Sequence, residues 1–226
     1  MGEHDGHRDR LRKKFLEHGL DVFSDHEVLE LLLFYAVPRR DTDLLARALL
    51  KEFGSIRAVL DASVSELKRV PGIGDNAAVL LQLMAPLARR YQLSRELNNV
   101  RLETTADCGK FLMPYFFGCN LEQIYLLCLD VQCRVIACRL LEEGTQCYVS
   151  LPIRRAAEIA IDTCAASVIL AHNHPAGLAL PSEQDLAATI RLEQTLRSLD
   201  IILADHIIVA GNDFVSLRES GCFDNT

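Results

Sequence analysis

The sequence lacks any apolar run approaching the roughly 18–20 residues that a membrane-spanning helix needs. Its longest candidate, VLELLLFYAV, is interrupted by Glu30. The opening MGEHDGHRDRLRKKF carries charges but no apolar segment of the kind that a secretory signal requires. A soluble, cytoplasmic protein with no membrane partner is therefore expected. Cysteine is missing from the first hundred residues; all eight lie later, at 108, 119, 128, 133, 138, 147, 164 and 222. No pair has the C-x-x-C spacing of a zinc knuckle, and without an export signal the thiols are read as reduced. Several sit in strand-like runs (IYLLCLD, RVIACRL), where a free cysteine packs as a small hydrophobe. No internal repeat or low-complexity tract is found.

What is present divides the chain in two. Half of the 226 residues are apolar, enough for one large domain or two small ones. Residues 1–100 carry 15 Lys/Arg against 15 Asp/Glu, which leaves 9 against 16 and the whole net charge of −7 to the remainder. An acidic second half is a poor partner for a phosphate backbone, so any nucleic-acid contact is expected from the first half. There the pattern is helical. RDRLRKKFLEHG places Leu11, Phe15 and Leu16 on one face and stops at Gly19; SDHEVLELLLFYAV starts on Ser24 with Glu27 in capping-box position and stops at Pro38. TDLLARALLKEFG, SVSELKRV and a long helix from Asp75 to about Leu97 complete an all-α N-terminal domain, 1–97. After a linker at 98–106 the period changes. EQIYLLCLD is apolar on both faces, as in a central strand. The strands RVIACRL and QCYVSL follow, joined by the turn EEGT; then come the helix IRRAAEIAIDTCAA, the strand SVILA, a further helix, and the short strands HIIVAG and DFVSL. Residues 107–226 are thus expected to form an α/β domain with a mixed sheet.

Between SVILA and its helix lies AHNHPAGLALPSEQD. In an extended chain His172 and His174 point to one side, where two imidazoles at a strand end reach one cation at about 2.0–2.1 Å. Asp185, in the first turn of the next helix, is brought back over the strand by a loop with Pro175, Gly177 and Pro181. His, His and a carboxylate, with a fourth position open, is the ligand set of a catalytic zinc site, one Zn²⁺ per chain. Mn²⁺ and Fe²⁺ suit the same donors. Each residue also has a plainer reading: Ser182 and Asp185 form an ordinary capping box, and His172 is a polar strand end.

H-x-H-P-x6-S-x2-D is the signature of the JAMM (MPN+) metallohydrolases, matched here by His172, His174, Pro175, Ser182 and Asp185. With Asn173 between the histidines, and with GHRDRLRKKFLEHG, SDHEVLELLLFYAVPRRD, VPGIG and DHIIVAG elsewhere, nearly the whole chain resembles the RadC (UPF0758-like) family. The resemblance implies a cytidine-deaminase-like JAMM/MPN domain that hydrolyses amide or isopeptide bonds in a peptide or protein substrate. It makes Glu122, at the start of EQIYLLCLD, the group that activates the attacking water, with Glu142 and Glu143 as rivals, and makes Ser182 a donor to the oxyanion. Two stretches depart from the family pattern: PIRRAAE, with Arg154 and Arg155 where P-R-E is usual, and the turn at Ala176, where Ser is usual. Neither holds a ligand; both bear on loop contacts and substrate shape. Nuclease chemistry is the rival to peptide hydrolysis, disfavoured by one carboxylate at one metal and by the acidic second half.

SELKRVPGIGDNAAVLLQLM reads as helix, tight turn and helix. Gly72 and Gly74 allow positive φ and bring amides near an anion, the second helix offers its N-terminus, and Lys68 and Arg69 add charge. This resembles the helix-hairpin-helix motif, which implies non-specific contact with the DNA backbone; the RadC resemblance carries a DNA-repair label with it. The alternative is a plain αα-hairpin whose Ile73 plugs the core, with Asp75 standing where a phosphate would sit.

Overall fold

The computed structural model describes residues 3–38, 40–93, 100–144, 151–175 and 177–222. It separates into two compact units, Met1–Ala88 and Arg89–Thr226. Every described element of the first is helical: α1 (Glu3–His18), α2 (Asp25–Ala36), α3 (Asp43–Phe53), α4 (Ile56–Asp61), α5 (Val64–Leu67) and most of α6 (Asp75–Leu93). Their ends follow the side chains available. Glu27 accepts from the N–H and the hydroxyl of Ser24 ahead of α2, Ser55 and Ser63 accept from the amides of Ala58 and Glu66, and α3 stops at Gly54 with φ +82°. The core holds Leu29, Leu33, Leu49, Leu67 and Leu81. Of the face expected on α1 only Leu11 is buried; Phe15 and Leu16 are 41% and 82% exposed. Leu16 lies five residues on, about 140° round the helix, and so points away from the side that Leu11 presents to Leu31 and Phe34.

The second unit comprises the end of α6, then α7 (Thr105–Leu112), β1 (Gln123–Leu129), β2 (Val135–Glu143), α8 (Ile153–Asp162), β3 (Ser167–Asn173), α9 (Glu183–Arg197), β4 (Ile202–Ala210) and β5 (Asp213–Ser216). The units part at Ala88/Arg89, ahead of the linker expected at 98–106. Arg89, the first residue of the second, donates from its guanidinium to Tyr125 Oη at 2.7 Å and Cys119 Sγ at 3.0 Å. At the far end of that stretch Thr104 already caps α7. Residues 94–99, with the expected last turn of α6, lie outside the described residues, as does all of the expected strand QCYVSL except Leu151. Glu142 and Glu143, expected in a turn, continue β2.

The sheet runs β2-β1-β3-β4-β5, antiparallel except between β3 and β4, which α9 connects as a crossover. β1 is buried along its whole length. Ile124, Leu126 and Cys128 pack with Val168, Leu170 and Leu192 on the side of α8 and α9. Tyr125, Leu127 and Leu129 pack with Ile169, Ala171 and Leu112 on the side of α7. The period of two puts His172, next in the series after Val168 and Leu170, under α9. β4 carries an extra residue opposite Val168/Ile169. Leu203 and Ile208 therefore share the α9 side despite opposite parity, and His206 falls on that side as well.

Candidate metal centre

His174 lies one residue past β3, but its N–H still donates to Val209 O at 2.8 Å, which keeps the chain extended and turns its ring to the side of His172. The two Nε2 atoms stand 2.9 Å apart. Asp185 Oδ1 is 3.2 Å from His172 Nε2, and Oδ2 is 3.7 Å from His174 Nε2. One donor atom from each of the three residues fits within 4.8 Å of the others, a group able to hold a metal ion.

Hydrogen bonds at the far sides of the rings say what these atoms carry. His174 Nδ1 is 3.0 Å from Leu178 O; a carbonyl only accepts, so Nδ1 carries a proton and the neutral ring presents its lone pair at Nε2. His172 Nδ1 meets His206 Nε2 at 2.8 Å. His206 Nδ1 meets Thr189 Oγ1 at 2.6 Å, and Thr189 Oγ1 donates to Asp185 O at 2.6 Å. Burial lowers the pKa of His206 well below that of an ordinary histidine. A neutral His206 that gives its Nδ1 proton to Thr189 accepts at Nε2 from His172, leaving His172 Nε2 bare as well. Two lone pairs and a carboxylate thus face one another. That donor set fits a divalent cation of the zinc type.

Asp185 serves two structures. Oδ2 accepts from Ser182 N at 2.8 Å and Ser182 Oγ at 2.6 Å, while Ser182 Oγ accepts from Asp185 N at 3.2 Å, a complete capping box at the start of α9. Burial opposes its charged form, and the bonds from Ser182 N and Oγ favour it. The Ser182 hydroxyl is directed at Asp185.

Glu122 stands immediately before β1. Its pKa is raised chiefly by burial, and its carboxyl lies in the field of His172, His174 and Asp185. Its backbone is pinned on both sides by Asn173: Gln123 N donates to Asn173 Oδ1 at 2.8 Å, and Asn173 Nδ2 donates to Leu121 O at 3.1 Å. Of the rival carboxylates, Glu143 accepts from Gln123 Nε2. Glu142 is exposed on β2, paired in register with Ile124. The sequence marks Asn173 only through the family resemblance, with no role, and does not mark His206 or Thr189; the available sign was a polar Asp205-His206 pair inside an otherwise apolar strand.

The turn between α5 and α6 is built differently. Gly72 has φ +96°, and a Cβ there would stand 2.7 Å from Leu45 Cδ2. Gly74 has no positive φ, and a Cβ there would meet nothing within 4 Å, so the left-handed backbone expected of both glycines belongs to Gly72 alone. Ile73 is buried in the helical core. Lys68 Nζ, expected to add charge for a ligand, is 2.5 Å from Asp75 Oδ1 across the turn. Arg69 is exposed.

The Asp at the start of α9 and the two histidines at the end of β3 lie in a stretch that matches the JAB class of domains. The family model for a RadC-like JAB domain matches residues 102–222, and that for a UPF0758 N-terminal region matches residues 5–79. The whole chain is similar to a UPF0758 protein of Janthinobacterium sp. (strain Marseille), 36% identical over 215 residues that cover 95% of this chain and 96% of the relative. It is equally similar to the UPF0758 protein FN0909 of Fusobacterium nucleatum subsp. nucleatum, 35% identical over 231 residues that cover 98% and 99%. The chain belongs to the UPF0758 family and carries its RadC-like JAB domain.

Proposed function

We propose that this protein is a zinc-dependent hydrolase of amide or isopeptide bonds. The observation that carries this reading is the convergence of His172, His174 and Asp185, one donor atom of each within 4.8 Å of the others, with the Glu122 carboxyl in their field. A zinc ion held there would supply Lewis acidity, polarising the scissile carbonyl and easing loss of a proton from water. Glu122, its affinity for a proton raised by burial, takes that proton and returns it to the leaving nitrogen. The clamp of Asn173 on Leu121 and Gln123 holds Glu122 at its station. Ser182 turns its hydroxyl from Asp185 Oδ2 to the developing oxyanion, while its N–H keeps the helix capped. Leu178 and Leu180, 74% and 62% exposed on the loop between the ligands, offer apolar surface to a polypeptide rather than to a polyphosphate. Metal content and turnover of peptide and isopeptide substrates test the reading together. About one zinc per chain is expected, with Glu122→Gln retaining the metal and losing about 10²–10⁴ in rate. Full activity in Glu122→Gln would discard its role; no metal after zinc reconstitution would discard the enzyme.

Contact of the turn 70–76 with a DNA backbone is the second reading, supported by the exposed residues Gly74, Asp75 and Asn76 at the start of the 19-residue α6. It predicts retardation of duplex DNA that weakens steeply with salt and is reduced by Gly74→Leu. Retardation unchanged in that variant would remove the turn from the interface.

A further inference from the structure

We infer that His206 and Thr189 are positioning residues that set the tautomer of His172 and thereby its capacity to bind metal; the inference rests on the proposed metal site. The argument is one of proton direction. Thr189 Oγ1 has one proton, and its neighbour at 2.6 Å, Asp185 O, only accepts. That proton is therefore committed. Thr189 must accept from His206 Nδ1 at 2.6 Å, so His206 presents a lone pair at Nε2. His172, 2.8 Å away, must then donate from Nδ1, and its Nε2 is left bare facing His174 and Asp185. The chain of bonds starts on the backbone carbonyl of Asp185 and returns to the side chain of the same residue.

The reverse direction would be self-defeating. If Thr189 donated to His206, the proton on His206 Nε2 would point at His172 Nδ1, and His172 would carry its own proton at Nε2, inside the ligand cluster. A neutral imidazole free of such a bond favours that Nε2–H form. The hydroxyl of Thr189 prevents it, because helical geometry already supplies an acceptor at Asp185 O. Outer partners that orient metal-ligating histidines in this way typically hold 10–100-fold in metal affinity. β4 reaches this position only through its extra residue opposite Val168/Ile169.

The test measures zinc affinity of the full chain by competition with a chromogenic chelator, together with long-range ¹H–¹⁵N spectra of the metal-free protein that report which nitrogen of His172 bears the proton. His206→Leu is expected to weaken zinc by about 10–100-fold and to move the His172 proton to Nε2. His206→Gln, whose Oε1 accepts from His172 Nδ1, is expected to recover part of both. Thr189→Val, nearly isosteric, carries the test if His206→Leu fails to fold, with about tenfold weaker zinc and the same change of tautomer. Wild-type affinity and an unmoved proton in Thr189→Val would overturn the inference. His172→Ala separates the two levels. If it binds zinc as the parent does, the metal site itself is wrong; if it loses zinc while the His206 and Thr189 variants keep it, only the positioning role falls.

Discussion

Two turns of this molecule look alike in the sequence and differ in what they leave unsatisfied. AHNHPAGLALPSEQD and KRVPGIGDN are both short, broken by Pro and Gly, and both run into a long helix, α9 or α6. Around α5 and α6 each feature has a partner inside the same unit. Lys68 answers Asp75, Gly72 makes room for Leu45, and Ile73 fills the core. Before α9 the hydrogen bonds do the opposite. Leu178 O and His206 draw the protons to the far sides of His174 and His172 and leave three acceptors facing one another. Turn-forming residues show where a chain reverses. Only the direction of the protons shows which reversal has something left to bind.

The contrast is open to three substitutions, in falling order of effect. His174→Ala should weaken zinc by more than the roughly 100-fold that loss of an outer partner can reach, because a ligand goes rather than its support. Unfolding by denaturant should scarcely change, since among the described residues the ring is bonded to a loop carbonyl and to the cluster. A large loss of stability in the metal-free variant would mean that His174 is a structural residue after all. Gly72→Ala should behave in the reverse way, costing about 1–3 kcal/mol in denaturant stability through strained backbone and the clash with Leu45, with zinc affinity unmoved. Gly74→Ala, in open space and without a positive φ, should stay within about 0.5 kcal/mol of the parent. Equal costs at the two glycines would erase the packing account of Gly72.

How much of this could be read from the chain depended on distance along it. Helix starts at Ser24, Ser63 and Ser182 were legible because a capping box is complete within four residues. The buried strands β1 and β3 were legible from unbroken apolar runs, and the histidine pair from a spacing of two. Leu16 was misjudged because a contiguous apolar pair is not a helical face. His206 stayed hidden for a different reason: strand parity assigns it to the α7 side, and the extra residue in β4 that reverses the assignment is a property of the pairing with β3. The clamping role of Asn173 was hidden by separation, since the backbone groups that it holds lie about fifty residues earlier. Glu122 came from family resemblance, which no local spacing could have replaced.

The double service of Asp185 has a consequence for descent. Selection for folding alone would keep Ser182 and Asp185, because together they start α9 whether or not a cation ever arrives. His174 has no such insurance: apart from the cluster, its ring bonds among the described residues to the carbonyl of Leu178. In a lineage that abandoned the chemistry, the serine and the aspartate would persist as relics of good helix manners, and the second histidine would be the first letter to decay.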